Sequence, residues 1–487
     1  MLFNTIDYIF FFAFVVSFLV IVKNKQYQHL FLLGASYFFY YYDANYLISL
    51  LFASTLMDFY VGRAIYRSTD IRKKKVLLIG SLSGNLGMLG FFKYADFGIA
   101  QINNLSSQVG LNNDIPFLNI ILPIGISFYT FASMTYTIDI FRGNLEPARS
   151  LKDYALFVAF FPQLVAGPII RATDFLPQLE KKLFHISSGL ALQQGMSEHV
   201  KLGITIMAFG FLKKMFFADN IAPMVNNIFL SPIGSDSLTI LLGTIAFGVQ
   251  IYCDFSGYSD IAIGSALILG FRLPINFNKP YFASSPSDFW RKWHISLSTW
   301  LRDYLYIPLG GSRKSSNRTY VNLMITMFLG GLWHGASWNF VIWGVLHGTY
   351  LAIHRFIIQR SILVRYSHLN PKFRVISSIL ITQYLIFLAW IPFRVKNFDN
   401  VIYCMYKYIV PDFQIVTIMG TLYANRVAVI LIMIFFIFHF ISYRKKNLVE
   451  RITSWKFPLW LMVIFGIIMA ILLFFNGNPQ DFIYFQF

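Results

Sequence analysis

The stretch that decides the fold is residues 319–354, which read TYVNLMITMFLGGLWHGASWNFVIWGVLHGTYLAIH and contain no Asp, Glu, Lys or Arg. As one helix this stretch would be about 54 Å long, against about 30 Å for the hydrocarbon core of a membrane. It therefore has to break or tilt strongly. The segment Gly330–Gly335 contains three glycines around His334, and glycine lets the backbone leave helical geometry. The sequence thus predicts a broken membrane helix with a histidine at the break.

His334 is the first candidate catalytic residue. Irregular backbone at membrane depth is tolerated only where protein or a water-filled cavity surrounds it. We therefore expect His334 to line a cavity deep in the bilayer. Burial favours the neutral imidazole, which can act as a base near neutral pH. The ring could equally hydrogen-bond a neighbouring carbonyl and stabilise the break, and the pattern alone leaves both interpretations open.

Composition places the whole chain in a membrane. Hydrophobic residues make up 56% of the 487 residues and charged residues 13%, whereas soluble domains carry about 25% charged residues. The net charge is +18, and the basic residues lie between apolar segments, as in proteins with positive cytoplasmic loops. We predict an all-α, multi-pass protein with about 11 or 12 spans. Residues 1–487 are predicted to form a single membrane domain.

The basic loop at 63–75 sets the predicted orientation. Its arginines and lysines place it in the cytoplasm. The apolar stretches 29–42 and 46–62 then form an out-and-back hairpin that turns at Tyr42–Asn45. The next span is followed by an external loop at 96–116, which contains no Lys or Arg. The N- and C-termini are both predicted to be external.

The charge and the cysteine content limit the kinds of partner and metal that the protein is expected to bind. The scattered positive charge argues against nucleic acid and fits an anionic cytosolic partner, such as a coenzyme A thioester or an acyl carrier protein. Cys253 and Cys404 have neither the number nor the spacing of a disulfide framework or a metal site, so no metal is predicted. The mixed polar stretch 171–201 is expected at the membrane interface.

Residues 285–303 contain a second histidine, His294, among aromatic and basic residues. Ser285 can cap a helix, and Asp288 can close a capping box. The aromatic side chains fall on one face at helical spacing, which predicts a single amphipathic helix. Such a helix could also serve only to anchor the chain at the membrane interface.

Two carboxylates, Asp254 and Asp260, lie in an apolar stretch. A buried carboxylate is costly unless it is paired. Arg291 and Arg302 are the candidate partners that the sequence offers.

Six segments between about residue 120 and the end of the chain carry a family resemblance. They are Phe161–Pro168 with Arg171, Asp254–Asp260, Asn276–Tyr281, Asp288–Gly311, Gly331–Ala336 and Trp390–Arg394. Together they resemble the membrane-bound O-acyltransferase (MBOAT) family. The resemblance is to its bacterial branch, with the alginate and peptidoglycan O-acetyltransferases and the D-alanine exporter of teichoic-acid modification. It implies a ring of tilted helices, with an external funnel and a cytosolic tunnel that meet near His334.

The resemblance also implies roles for individual residues. His334 corresponds to the catalytic histidine of the family and His294 to its second histidine motif. Tyr484, in the aromatic tail, corresponds to a tyrosine thought to receive the acyl group, although the tail could instead be an interfacial anchor. Residues in the matching segments are expected to bind substrate, and these are Trp333, Arg291, Asp254 and Asn276.

The implied activity is acyl transfer, most simply acetyl transfer, across the bacterial inner membrane. The donor would be acetyl-CoA or an acyl carrier protein thioester, with no bound cofactor. The acceptor would be a cell-envelope polysaccharide or peptidoglycan, reached through an external SGNH-like acyltransferase partner. Two alternatives stay open, namely D-alanyl or lipid acyl transfer by the same fold, and transport of a lipid-linked sugar.

Overall fold

The computed structural model is built from helices. It describes residues 1–111, 114–165, 167–180, 198–360, 370–412, 414–475, 477 and 480–485. Within these ranges the chain forms helices and loops and no β-strand, which confirms the prediction of an all-α protein. Of the stretch predicted at the membrane interface, residues 181–197 lie outside the described ranges.

The described residues form α-helices over most of their length. The helices are Ile6–Ile21, Lys25–Ala44, Ile48–Arg67, Ile71–Gln108, Ile126–Phe141, Leu151–Ala159, Phe161–Leu164, Ala172–Phe175, Glu198–Phe211, Asp219–Leu230, Ser237–Ile268, Pro286–Trp290, Ile295–Leu301, Ser316–His334, Trp338–Gln359, Pro371–Arg394, Phe398–Ile409, Ile415–Ala424, Arg426–Arg444, Leu448–Thr453 and Phe457–Phe474. Two π-helical segments, Leu212–Ala218 and Arg302–Tyr306, continue the helices that precede them.

The helices form two compact units. Unit 1 is Met1–Ile204 with Ala262–Pro274, and unit 2 is Thr205–Ile261 with Ile275–Phe487. All the residues predicted to act in catalysis or substrate binding belong to unit 2. A single domain over the whole chain stays a prediction.

Among the described residues, seven helical segments are long and apolar enough to cross a membrane. They are Lys25–Arg67, Ile71–Gln108, Ser237–Ile268, Trp338–Gln359, Pro371–Arg394, Arg426–Arg444 and Phe457–Phe474. In the last of these, Met462, Phe465 and Leu472 are each more than 60% exposed, a surface that suits lipid and not water. The prediction of a multi-pass membrane protein is confirmed.

The first apolar segment is a helical hairpin, as predicted. Its helices, Lys25–Ala44 and Ile48–Arg67, are joined by a turn in which Asn45 takes a positive φ of 48°. The rings of Tyr37 and Phe52 lie 4.4 Å apart between centroids, a distance that one continuous helix could not give.

The loop predicted at 96–116 is wrong over residues 96–108, which are helical. The helix that begins at Ile71 continues to Gln108. The chain leaves helical geometry only at Gly110, which has a φ of 77°. The absence of basic residues predicts on which side of the membrane a loop lies, but it does not predict where a helix ends.

The stretch 319–354 breaks where the sequence predicts, between Ser316–His334 and Trp338–Gln359. We call these two helices the histidine hairpin. The glycines act differently from the prediction, because Gly331 stays helical and serves close packing. A β-carbon on Gly331 would lie 2.2 Å from the carbonyl oxygen of Phe340. Gly335, which is extended, is the residue that ends the first helix.

The single amphipathic helix predicted at 285–303 is wrong. The chain forms Pro286–Trp290 and then Ile295–Leu301. The predicted cap is present, since the hydroxyl of Ser285 accepts a hydrogen bond from the Asp288 backbone N–H at 3.1 Å. The interruption falls at His294.

Candidate active site

His334 lies at the tip of the histidine hairpin in an aromatic pocket. Its side chain is buried, and its ring centroid is 4.8 Å from Trp343, 5.1 Å from Phe393 and 5.1 Å from Trp333. The helix ends at Gly335, which is extended, and only glycine fits at this position because a β-carbon there would meet the Phe340 ring at 2.2 Å. The local sequence therefore presents His334 as the last residue of its helix.

His294 takes a left-handed backbone conformation, with φ 42° and ψ 55°. The preceding loop holds it there through Asn276. The Asn276 carbonyl accepts the Ile295 backbone N–H at 2.9 Å, and the Asn276 side-chain oxygen accepts the Ser296 backbone N–H at 3.2 Å. These bonds start the second helix at Ile295 and prevent the first from continuing through His294.

The same amide fixes the protonation of His294. Because Oδ1 of Asn276 accepts a backbone N–H, it is an acceptor towards Nδ1 of His294, 3.2 Å away. Nδ1 therefore carries the proton, and Nε2 keeps its lone pair. Among the described residues, Nε2 has no hydrogen-bond partner. His294 lies outside the seven apolar spans, and its complete burial lowers its pKa to about 3.

Tyr484 lies between the two histidines. It belongs to a 3₁₀ turn, Ile483–Phe485, near the end of the chain. Its ring centroid is 5.5 Å from that of His334 and 6.5 Å from that of His294. Phe255 packs against both Tyr484 and His294, at 4.6 Å in each case. The structure thus brings together all three residues predicted to be catalytic.

The four residues predicted to bind substrate are placed differently from one another. Trp333 is buried beside both histidines, with its ring 6.0 Å from that of His294. Asn276 is fully buried and contacts His294. Arg291 is exposed, and no described ring contact, hydrogen bond or ion pair joins it to the two histidines or Tyr484. The role of each in binding substrate stays a prediction.

Asp254 is buried and paired, but the predicted partner is wrong. Its Oδ1 lies 2.7 Å from Nζ of Lys214, which is also 2.9 Å from Oδ1 of Asp219. Asp260 pairs with Lys213 at 2.5 Å. The predicted partners were arginines in a segment assumed to be one helix, whereas both lysines come from the π-helical segment Leu212–Ala218.

Sequence reasoning missed Lys214, although a signal was present. Lys213 and Lys214 stand between apolar stretches of one helical run, and charged residues within such stretches usually face a partner or a functional site. A π-helical turn also occurs frequently at functional sites.

Fold and site together define a class, namely a multi-pass membrane protein with two buried histidines and a tyrosine in one aromatic cluster. A model of the MBOAT, membrane-bound O-acyltransferase family, matches residues 148–398. The chain belongs to this family and is an acyltransferase.

Curated relatives agree with the family assignment. The "Probable alginate O-acetylase AlgI" of Pseudomonas aeruginosa is 41% identical over 406 residues, which cover 82% of this chain and 72% of the relative. The "Peptidoglycan O-acetyltransferase" of Helicobacter pylori is 37% identical over 407 residues, with 78% and 73% covered. The "Teichoic acid D-alanyltransferase" of Bacillus subtilis is 26% identical over 293 residues, with 58% and 71% covered.

Proposed function

We propose that this protein relays an acetyl group from a cytosolic thioester to Tyr484 and onward to a hydroxyl of a cell-envelope polysaccharide or peptidoglycan. The single observation that carries the proposal is the position of Tyr484. Its ring centroid lies 5.5 Å from that of His334 and 6.5 Å from that of His294, so the tyrosine packs beside both imidazoles.

In the first step, His334 acts as the general base. Its imidazole takes the phenol proton of Tyr484, and the phenolate oxygen attacks the thioester carbonyl carbon. The new carbon–oxygen bond forms, the carbon–sulfur bond breaks, and the thiolate leaves and takes a proton. The products are a tyrosyl O-acetyl ester and the free thiol.

In the second step, an acceptor hydroxyl attacks the ester and restores Tyr484. The charged donor then never has to cross the membrane, because only the acyl group changes sides. Attack by a polymer hydroxyl at the external face calls for a partner, for which an SGNH-like acyltransferase is the expected kind. The names of the P. aeruginosa and H. pylori relatives support acetyl as the group and an envelope polymer as the acceptor.

The tautomer of His294 limits the part it can take. The proton on Nδ1 is directed at Asn276, so Nε2 can accept a hydrogen bond but cannot donate one to a thioester carbonyl. We therefore propose that the Nε2 lone pair of His294 orients either the phenol of Tyr484 or the acyl donor.

The proposed orientation follows the basic residues. The loop at 63–75 faces the cytoplasm of a bacterium, the protein lies in the inner membrane, and both termini are external. The donor, acetyl-CoA or an acyl carrier protein thioester, enters from the basic side. The protein itself needs no bound cofactor.

The proposal is tested by measuring the mass of the C-terminal peptide. Purified full-length protein in lipid nanodiscs is incubated with acetyl-CoA, and the C-terminal peptide is analysed by mass spectrometry. We expect an acetyl adduct on Tyr484 that is absent from Tyr484→Phe. The matched control is Tyr423→Phe, at an exposed tyrosine of another helix. An adduct that persists in Tyr484→Phe would exclude the relay.

The same experiment separates the alternatives. A D-alanyl adduct formed only from a D-alanyl carrier thioester would assign the activity of the teichoic-acid relative instead. Transport of a lipid-linked sugar requires no adduct and would survive His334→Ala. Acylation of a lipid would appear as labelled lipid with an unmodified tail.

A further inference from the structure

A buried charge cluster lies next to the site and takes no part in the chemistry proposed above. It consists of Lys214, Asp219 and Asp254, which are between 1% and 5% exposed. Nζ of Lys214 lies 2.7 Å from Asp254 and 2.9 Å from Asp219. Burying three charges carries a large desolvation cost, which ion pairing offsets only if further hydrogen bonds satisfy the remaining polar atoms.

Those further hydrogen bonds come from the C-terminal tail. Nζ of Lys214 donates to the backbone carbonyls of Gln480, at 2.8 Å, and Asp481, at 3.4 Å. Oδ2 of Asp254 accepts the backbone N–H of Ile483 at 2.7 Å. The Gln480 backbone is also hydrogen-bonded to Asp219. Every member of the cluster therefore contacts the main chain of the tail.

Hydrogen bonds to the main chain anchor the tail, and side-chain packing sets its register. The last of these hydrogen bonds, at Ile483, is one residue before Tyr484. Phe482 is fully buried, with its ring 4.4 Å from that of Tyr258. A slip of one residue would remove Phe482 from this contact and move the phenol away from the histidines.

The cluster and the tail depend on each other. The one lysine faces two carboxylates, so the cluster keeps an excess negative charge that the tail N–H of Ile483 helps to satisfy. Without the tail, Lys214 would lose two acceptors and Asp254 would lose a donor. An unsatisfied buried charged group is costly. The docked tail is therefore the favoured state.

We propose that Lys214, Asp254 and Asp219 form a main-chain clamp that holds the tail in the one register that brings Tyr484 to His334 and His294. They are positioning residues, because they act through the backbone of the tail. The proposal rests on the proposed function only for the consequence, which is faster acylation of Tyr484. The clamp itself can be tested without any activity.

The first test compares two lysines of one π-helical segment. Lys214→Met removes the clamp, whereas Lys213→Met removes a lysine that pairs with Asp260 and has no described contact with the tail. Hydrogen exchange of the C-terminal peptide is followed by mass spectrometry in nanodiscs. We expect exchange to be about tenfold to a hundredfold faster in Lys214→Met, as for the loss of a charge-assisted hydrogen bond, and unchanged in Lys213→Met.

Lys214→Met leaves two buried carboxylates without their lysine, and this can prevent folding. A second pair of variants therefore changes the tail and leaves the charge cluster intact. Ile483→Pro removes the N–H that Asp254 accepts, and proline suits the first position of a 3₁₀ turn. Ile483→Val keeps that N–H. We expect Tyr484 to be acylated about tenfold more slowly in Ile483→Pro and at the wild-type rate in Ile483→Val.

The outcomes separate the clamp from the function. If Ile483→Pro, or a folded Lys214→Met, keeps both the protected tail and the wild-type rate of acylation, the clamp is wrong while the relay stands. If the wild-type tail is never acylated, but both clamp variants expose it, the clamp is right and the relay is wrong. If Lys213→Met or Ile483→Val exposes the tail as much as its partner variant, the effect is general destabilisation and the clamp is overturned.

Discussion

Both histidines of the site lie where a helix is interrupted, but the interruptions have different causes. His334 is the last residue of a helix that ends at Gly335, an extended residue at which only glycine fits because a β-carbon would meet the Phe340 ring at 2.2 Å. His294 is itself the interruption, in a segment without glycine, and Asn276 holds its left-handed backbone by bonding the first residues of the next helix. One histidine is positioned by local sequence, and the other by a contact between segments distant in sequence.

The difference extends to the chemistry. His334 lies 5.5 Å from the Tyr484 ring and is surrounded by aromatic rings, whereas His294 has one nitrogen committed to Asn276. If the two positions act as proposed, removing each should have a different consequence.

The largest effect is expected from His334→Ala. Loss of a general base lowers the rate by about 10²–10⁴-fold, so acylation of Tyr484 should fall below detection in a single time course. The measurement is acetyl incorporation by protein in nanodiscs. His199→Ala, at an exposed histidine, is the matched control. Wild-type incorporation by a correctly folded His334→Ala protein would remove His334 from the mechanism.

A smaller effect is expected from Asn276→Ala. This change removes the hydrogen bonds that hold His294 but keeps its imidazole. The rate of Tyr484 acylation should therefore fall by about tenfold, which is a smaller loss than we expect for His294→Ala. Because Asn276 acts through His294, the double variant should be no slower than His294→Ala alone. Rate losses that multiply in the double variant would show that Asn276 acts independently of the histidine.

The break at His334 could be predicted from sequence, and the break at His294 could not. Glycines in an uncharged stretch too long for one crossing indicate the first, because glycine has a local conformational effect. The residue that causes the second, Asn276, lies 18 positions upstream, and nothing within 285–303 opposes a continuous helix. Residues 285–303 do have an amphipathic pattern, but the contact with Asn276 interrupts the helix that this pattern predicts.

The helix break alone indicates His334 as a candidate, the family resemblance supplies the roles of His294 and Tyr484, and neither predicts the charged residues that support the tail. His334, His294 and Tyr484 were singled out and lie together, yet the sequence paired Asp254 with an arginine and gave no role to Lys214. Pairing of charges depends on which helices become neighbours, and a sequence pattern carries little information on that. The helix that runs to Gln108 shows a different limit, because Gly110 marks its end whereas the prediction used only the absence of charge.

The histidine hairpin offers a matched pair of glycines for a test of stability. Gly331→Ala would place a β-carbon 2.2 Å from the Phe340 carbonyl oxygen, whereas the nearest atom to a β-carbon at Gly330 is Cδ1 of Leu301, at 3.3 Å. Overpacking of this kind costs about 1–3 kcal/mol. We expect Gly331→Ala to unfold at a clearly lower temperature in detergent, and Gly330→Ala to unfold close to wild type. Equal unfolding temperatures would contradict the close packing at Gly331.

The smallest effect concerns acid stability and tests the neutral state of His294. Its pKa is about 3 in the folded protein, because of burial, and 6.5 for the ordinary group. Above pH 6.5 both states are neutral and the group contributes nothing to the pH dependence. As the pH falls below 6.5, the unfolded chain takes up a proton that the folded protein does not, so stability decreases.

The decrease should reach about 2 kcal/mol by about pH 5. His294→Gln lacks this proton uptake, and other titrating groups are shared, so its unfolding temperature should fall less than that of wild type between about pH 7.5 and pH 5. A parallel fall in both proteins would mean that His294 is protonated, or open to water, in the folded state. His294 would then resemble an exposed histidine, and the proposed lone pair directed at Tyr484 would be lost over that pH range.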